Sequence, residues 1–201
     1  RSTKAADGTA IPAGSTYSYT EPYYYDYSGH SLPLETRGYL YNWEAAKLVC
    51  PAGWHLPSDG EWTQLTQYVG SQSNYLCSNN STYIAKALAS TTGWGSSSTT
   101  CAVGNTPASN NATGFSAVPA GSHGGSSFVG SGSYATFWSS TEYSSSSAYT
   151  RYLSCNSASV YSSNYGYTKN GGFSVRCLRD ETGSGEEPGG GEPTAFTCGT
   201  S

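Results

Sequence analysis

The chain has no methionine and two isoleucines among 201 residues, and only 11% of its residues are charged. The flexible gap-filler of most interiors is therefore missing, and packing falls to other side chains. No run of about 18 apolar residues occurs, so nothing reads as a membrane-spanning helix. Basic residues are few: nine Lys and Arg against thirteen Asp and Glu, a net charge of −4 and a pI near 5.3. With no basic patch or basic helix there is no electrostatic footprint for nucleic acid, and an anionic membrane surface is disfavoured for the same reason. No CxxC pair occurs and His30, His55 and His123 are scattered, which gives a zinc cluster little support. The chain does not open with Met and shows no signal peptide, which reads as a processed or trimmed chain.

What is present is aromatic and glycine-rich. Five Trp and eighteen Tyr must do much of the packing, with their polar atoms needing partners wherever they are buried. Twenty-five glycines suit a loop-rich fold with many turns better than a helical bundle. The length bounds one domain with a core of its own and leaves room for appendages. Six cysteines (Cys50, Cys77, Cys101, Cys155, Cys177, Cys198) point to disulfides and a location outside the cytoplasm. They permit fifteen pairings, among which spacing alone does not choose.

The most unusual stretch runs from Ser139 to Gly172. It holds 11 Ser, 6 Tyr and 3 Asn, and its only charges are Glu142, Arg151 and Lys169. Tyr offers large, rigid contact area with little rotamer entropy to lose, while Ser and Asn offer adaptable hydrogen bonding. Fold-like sequence brackets the stretch, Phe137–Glu142 before and Gly172–Leu178 after, unlike a low-complexity tail.

Along the chain, residues 1–36 read as turns and short strands. Tyr39–Cys50 reads as a helix from the spacing of Leu40, Trp43, Ala46 and Leu48. Ser58 and Glu61 form a capping box ahead of a second helix carrying Trp62, Leu65 and Val69, with Gly70 as its C-cap. Residues from about 70 to 111 read as an insertion with a short helix near Tyr83–Ala89, and Trp94 within it as a surface aromatic or core. Strands are expected at Phe115–Val118, Phe128, Ala135–Ser140, Ala148–Leu153, Ser159–Tyr161 and Phe173–Leu178. Residues 183–193 are a Gly/Pro/Glu linker, and 194–201 a tail whose Phe196 or Cys198 docks back on the domain, with a strand supplied to a neighbour or a non-native remnant as the alternatives.

The run Leu40–Leu65 (LYNWEAAKLVCPAGWHLPSDGEWTQL), followed in order by Ala112–Gly121, Phe137–Tyr143 and Gly172–Leu178, resembles the Fibrobacter succinogenes major paralogous domain, common in Bacteroidetes-like surface proteins. The resemblance covers about residues 37 to 180, within a domain placed at 37–182. It implies an α+β, C-type-lectin-like fold: two helices packed on a small twisted antiparallel sheet with long loops. By the same analogy Cys50 joins Cys177, with Cys77–Cys101 the local pair and Cys155–Cys198 the one left over. The segment at about 139–171 further resembles the variable region of a diversity-generating retroelement target protein, ending at a G-x-x-V-R motif as Gly172–Arg176 does. Adenine editing of AAY codons yields Tyr, Ser, Asn, Thr, Asp, His or Cys, so Cys155 is itself a candidate random product. Ala148, Leu153, Val160 and Lys169 would be its fixed framework.

Chemistry is sparse. Trp138 is followed by two serines rather than Asn-Asp, and Glu21-Pro22 by Tyr23, so the calcium ligands of sugar-binding lectins are not matched. No close cysteine pair matches the copper site of the formylglycine-generating relatives, and no nucleophile–base motif occurs. His55 reads as a structural hydrogen-bonder, Asp59 and Glu61 as helix-cap residues, and Trp43, Trp54, Trp62 and Trp138 as core. The expectation is a non-enzymatic extracellular or cell-surface module with neither cofactor nor metal. Its ligand-contacting residues would be Tyr143, Tyr149, Arg151, Tyr152, Ser154, Asn156, Ser157, Ser159, Tyr161, Ser163, Asn164, Tyr165 and Tyr167. The partner would be a protein or glycan on another cell, phage or host surface, met by an adhesin-like display protein that is alone or in a larger assembly. A formylglycine-generating-type enzyme and a structural surface domain with no ligand stand as the alternatives.

Overall fold

The computed structural model describes residues 1–14, 17–124 and 127–181. In chain order its elements are β1 (Tyr24–Tyr25), α1 (Leu34–Arg37), β2 (Leu40–Tyr41), α2 (Trp43–Ala46), β3 (Trp54–His55), α3 (Asp59–Ser71), α4 (Ala85–Leu88), β4 (Ser122–Gly124), β5 (Ser127–Val129), β6 (Tyr134–Ser144), β7 (Ser147–Ser154), β8 (Tyr161–Ser162), β9 (Tyr167–Thr168) and β10 (Leu178–Arg179). All named pairings are antiparallel: β1 with β2, β3 with β10, β4 with β5, and a larger sheet in which β7 pairs with β6, β8 and β9. The architecture is thus mixed α and β, with small antiparallel sheets and few helices.

The long β6–β7 hairpin organises the rest. Its register places Trp138 opposite Thr150 and Thr136 opposite Tyr152 on one face, and Phe137 opposite Arg151 and Ala135 opposite Leu153 on the other. The first face packs Trp138 and Ala148 against Trp43, Ala45 and Ala46 of α2, with Ile11, Leu56 and Phe173. The second packs Ala135, Phe137 and Leu153 against Trp62 and Val69 of α3 and against α4, Trp94 and Val103. The sheet therefore lies between two apolar layers. Three buried indoles are satisfied by carbonyls that cross between elements: Trp43 donates to Ser139 O (2.8 Å), Trp62 to Trp138 O (3.3 Å) and Trp138 to Tyr41 O (2.7 Å).

Helix α3 starts where its cap predicts. Glu61 N–H donates to Ser58 Oγ (3.2 Å), and Ser58 N–H donates back to Glu61 Oε2 (2.7 Å). Its end differs from expectation: Gly70 lies within the helix and Gln72 is the C-cap. A Cβ at Gly70 would come within 2.6 Å of the Ser81 carbonyl oxygen, so this glycine serves close approach of two segments rather than a left-handed turn.

Other expectations are corrected. Tyr39–Cys50 is not one helix: Leu40–Tyr41 pair with Tyr24–Tyr25, and Asn42 then caps a single turn by accepting from Ala45 N–H (3.1 Å). Residues 70–111, read as an insertion, also build the main core, to which Ile84, Ala85, Ala87, Leu88, Trp94 and Val103 belong. Trp94 is accordingly buried, its indole bonded to Ser90 Oγ (3.1 Å), whereas Trp54 is only half-buried at the edge of the core. Phe115–Val118 forms no strand beyond one bridge from Ala117 to Ala89, and Phe173–Leu178 reaches strand pairing only at Leu178 after isolated bridges at Phe173 and Ser174.

Cys50–Cys177 and Cys77–Cys101 are disulfides. Cys155 is not half of a third. It is a free, buried thiol packed in the main core, where cysteine acts as a small apolar residue. Cys198, Phe196, and the linker and tail assigned to 183–201 lie outside the described residues. Two disulfides are compatible with an extracellular domain. Among the described residues no helix is long and apolar enough to cross a membrane.

Candidate recognition surface

Strand parity decides what the Ser139–Gly172 segment shows to solvent. Tyr149 and Tyr152 are three residues apart on β7, so a regular strand sends them to opposite faces. The tyrosines accordingly form two groups rather than one. A tip group gathers at the closed end of the hairpin: the Tyr143 ring stands edge-on to Tyr149 (5.5 Å) and to Tyr165 (6.5 Å). A flank group lies at the other end and on the other face. There Tyr152 stacks on its cross-strand neighbour Tyr161 (5.1 Å) and meets Tyr134 edge-on (6.5 Å). Tyr167, paired with Ala148 near the closed end, packs edge-on against Phe173 (5.1 Å) and so stands apart from both groups. Burial, followed by the neighbouring phenols of Tyr167, Tyr161 and Tyr134, raises the Tyr152 pKa.

The exposures are uneven. Tyr143, Asn156, Tyr161, Asn164, Tyr165 and Tyr167 are exposed, Tyr165 most of all at 78%. Tyr149, Tyr152, Ser154, Ser157 and Ser159 are half-buried. Ser157 Oγ and the Tyr161 hydroxyl lie 2.8 Å apart, within hydrogen-bond reach.

Arg151 and Ser163 do not belong to the surface. Arg151 sits on the face turned to α3, where its guanidinium is ion-paired with Asp59 and donates to Thr63 Oγ1 (2.9 Å) and Ser162 Oγ (2.7 Å). Burying a guanidinium requires this many acceptors, and their positions tie β7 and β8 to the first turn of α3. Ser163 is buried because its Oγ accepts from Thr150 N–H (3.1 Å). Asp59 therefore does more than cap a helix.

Lys169 is the second buried cation. Its Nζ donates to Glu142 Oε1 (2.6 Å) and Ser145 O (3.0 Å), and lies 4.5 Å from the Trp43 ring centre. The Lys169 bond lowers the pKa of the exposed Glu142 carboxyl. With both pairs made, each of the three charges of the segment has a partner within the protein; Glu142 alone keeps an exposed carboxylate, and phenols, hydroxyls and amides make up the rest of the outward face. Gly166 (φ +66°) completes the tip: a Cβ there would come within 2.9 Å of Ala148 O and 3.0 Å of Tyr143 Cβ.

One surface residue escaped the sequence reading. Tyr134, 45% exposed, begins β6 outside the Ser/Tyr/Asn run. Its signal was the period of two that links it to Thr136 and Trp138 and hence to the Tyr152 face.

Among the described residues, no three His, Cys, Asp or Glu side chains are grouped to hold a metal ion. His55 is bound on both sides, Nδ1 2.6 Å from Asp180 Oδ1 and Nε2 2.8 Å from Glu61 Oε1. Three clefts among the described residues, of about 380, 560 and 600 Å³, have no tyrosine of either group in their lining. The tyrosines thus present open surfaces rather than a small-molecule pocket.

No curated protein and no solved structure matches the chain significantly. The family model of the Fibrobacter succinogenes major domain matches residues 1–179, so the match begins ahead of the motifs at Leu40 and takes in the first 36 residues. By that match the chain belongs to the Fibrobacter succinogenes major domain family.

Proposed function

We propose that this domain is an extracellular recognition module of C-type-lectin-like architecture that catalyses no reaction. Its Tyr/Ser/Asn segment is the variable, ligand-contacting surface of a diversity-generating retroelement target protein. One observation carries the reading. Between Tyr143 and Thr168 the exposed side chains are Tyr, Ser, Asn and Thr, all products of adenine editing, while the apolar Ala148, Leu153 and Ala158 and the ion-paired Arg151 are buried. A segment that must change without unfolding its host needs that separation. Thr150, Cys155 and Ser163 are buried residues of editable type, so the rule assigns them to the fixed set.

An outward surface whose one exposed charge, Glu142, is already paired with Lys169 supports a partner that is itself uncharged over the contact, such as a protein patch or a neutral glycan. Interface cores are depleted in charge and enriched in Tyr. The two tyrosine groups are the anchors on offer.

Two displayed libraries test the reading. One varies Tyr143, Tyr149, Tyr152, Tyr161, Tyr165 and Tyr167 among Tyr, Ser and Asn; the other varies Ala148, Arg151 and Leu153. Most members of the first should melt within a few degrees of the parent. They should also yield binders when panned against purified bacterial outer-surface proteins and immobilised neutral oligosaccharides. The second should mostly fail to fold. Equal failure in both libraries would mark the tyrosines as structural and end the proposal. Neighbouring DNA offers a separate check: a template repeat differing at adenines, beside a reverse transcriptase.

A further inference from the structure

The chain returns to the start of α3 through a short pairing. Strands β3 and β10 share two residue pairs, Leu178 with His55 and Arg179 with Trp54, next to the Cys50–Cys177 disulfide. Asp180 N–H then donates to Gly53 O (2.9 Å). Two residue pairs are little sheet to hold a strand, and a side-chain bridge reinforces them. The His55 ring lies between two carboxylates, at 2.6 Å from Asp180 and 2.8 Å from Glu61. An ionised carboxylate only accepts, and a neutral imidazole has a single N–H to give. Both short contacts are therefore satisfied only by the imidazolium.

We infer that His55 is a proton-operated clasp, which when protonated ties Asp180 at the end of β10 to Glu61 on α3 and when neutral releases Asp180. The choice of Asp180 follows from the other partners. Glu61 Oε2 keeps its bonds from Ser58 N–H (2.7 Å) and Ser58 Oγ–H (2.8 Å) in either state. The Asp180 side chain is half exposed and turns readily to water. Release loosens one wall of the cleft of about 600 Å³ that runs between α3 and β10, with Trp54, Trp62, Phe115 and Leu178 among its lining. The other charges facing that cleft are Arg176, Arg179 and Glu181; Asp7 and Lys47 face the adjoining cleft that His55 also lines.

The direction of the titration agrees with the geometry. The Asp180 hydrogen bond is the largest influence, and together with Glu61 it outweighs burial and raises the His55 pKa. Burial opposes ionisation of Glu61, but its bonds from Ser58 and His55 prevail and lower its pKa. A raised histidine pKa means that the clasp's contribution is complete below the ordinary histidine value and is lost as pH rises through the folded one.

The test is an NMR titration of the His55 ring, with the backbone amides of Leu178, Arg179 and Asp180 followed in the same samples. The wild-type ring should titrate above an ordinary histidine, and the three amides should shift with the same midpoint. Asp180→Asn, which leaves the α3 cap intact, should lower the ring's midpoint and uncouple the Leu178 and Arg179 amides from it. His55→Gln should abolish the amide transition. A wild-type ring that titrates at or below the ordinary value would overturn the clasp. So would amides that stay flat across the ring's transition, or an Asp180→Asn midpoint that does not move.

Discussion

The tip and flank tyrosine groups are built from the same residue types but held in different ways. The flank group lies on β7 and β8 where the reverse face is riveted to α3 through Arg151, whose partners include Asp59, Thr63 and Ser162. The tip group sits on the serine-rich end of the hairpin, fastened by the Lys169 bonds to Glu142 and Ser145 and by the close fit of Gly166. One buried cation thus serves each group. Asp59 keeps 29% of its side-chain exposure and Glu142 keeps 56%, so the Arg151 pair is the more sequestered. Composition alone says nothing of this: a Tyr/Ser surface is as rigid as the framework charges beneath it.

The largest expected effect is common to both groups and sets the baseline for separating them. Replacing Cys50 and Cys177 by Ala removes a staple between residues 127 apart in sequence, at a cost of roughly 2–5 kcal/mol in chemical denaturation. Tip and flank tyrosine signals should then lose dispersion together on mild heating. If one group survives the other by a wide margin, the disulfide serves only half the domain.

Cutting one fastening at a time should split the groups. Arg151→Ala leaves Asp59 without its cation in a partly buried site and costs about 3 kcal/mol. Its effect should be centred on Tyr134, Tyr152 and Tyr161. Lys169→Met leaves a Glu142 that water resolvates, so the loss should be well below that of Arg151→Ala, part of it from the contact with Trp43. Its effect should be centred on Tyr143 and Tyr165. Denaturant melts give the magnitudes and tyrosine ring NMR gives the location. Equal losses, or shifts in the opposite group, would dissolve the distinction between the two supports.

How much of this was legible in the sequence depends on the range of the interaction that decides it. The α3 cap was readable because Ser58 and Glu61 are three residues apart and bond to each other. The strand positions of β6 and β7 were readable from alternation. The Tyr39–Cys50 helix was misjudged because Leu40 satisfies a helical spacing with Trp43, but Leu40 and Tyr41 are claimed by a strand near residue 24, a pairing no local window contains. The core share of residues 70–111 was not legible because polar and glycine residues dilute the few apolar ones, though Ile84, Leu88 and Val103 are almost fully buried. In the candidate site, the outward tyrosines were recognisable from type and position. The assignment of Arg151 failed because its partners Asp59 and Thr63 lie about ninety residues upstream. The division of the tyrosines into two groups was implicit in the odd spacing of Tyr149 and Tyr152, and strand parity supplied it.

The smallest effect is the most local. The raised pKa of Tyr152 comes chiefly from burial, to which its stacked neighbour Tyr161 contributes cover as well as a second phenol. Tyr161→Ala uncovers the ring and should lower the Tyr152 midpoint toward that of an ordinary phenol, read by NMR of tyrosine labelled at the carbon that bears oxygen. Tyr143→Ala, in the tip group on the opposite face, should leave that midpoint in place. The sign for stability follows from the same shift. The native state holds the Tyr152 proton more tightly than the unfolded chain, so this contribution is intact below the ordinary tyrosine value and declines as pH rises through the folded one. In Tyr161→Ala the alkaline decline should end nearer the ordinary value and be smaller in total. If Tyr143→Ala moves the Tyr152 midpoint as far as Tyr161→Ala does, the two groups communicate through the sheet and act as one surface, whatever face their rings are on.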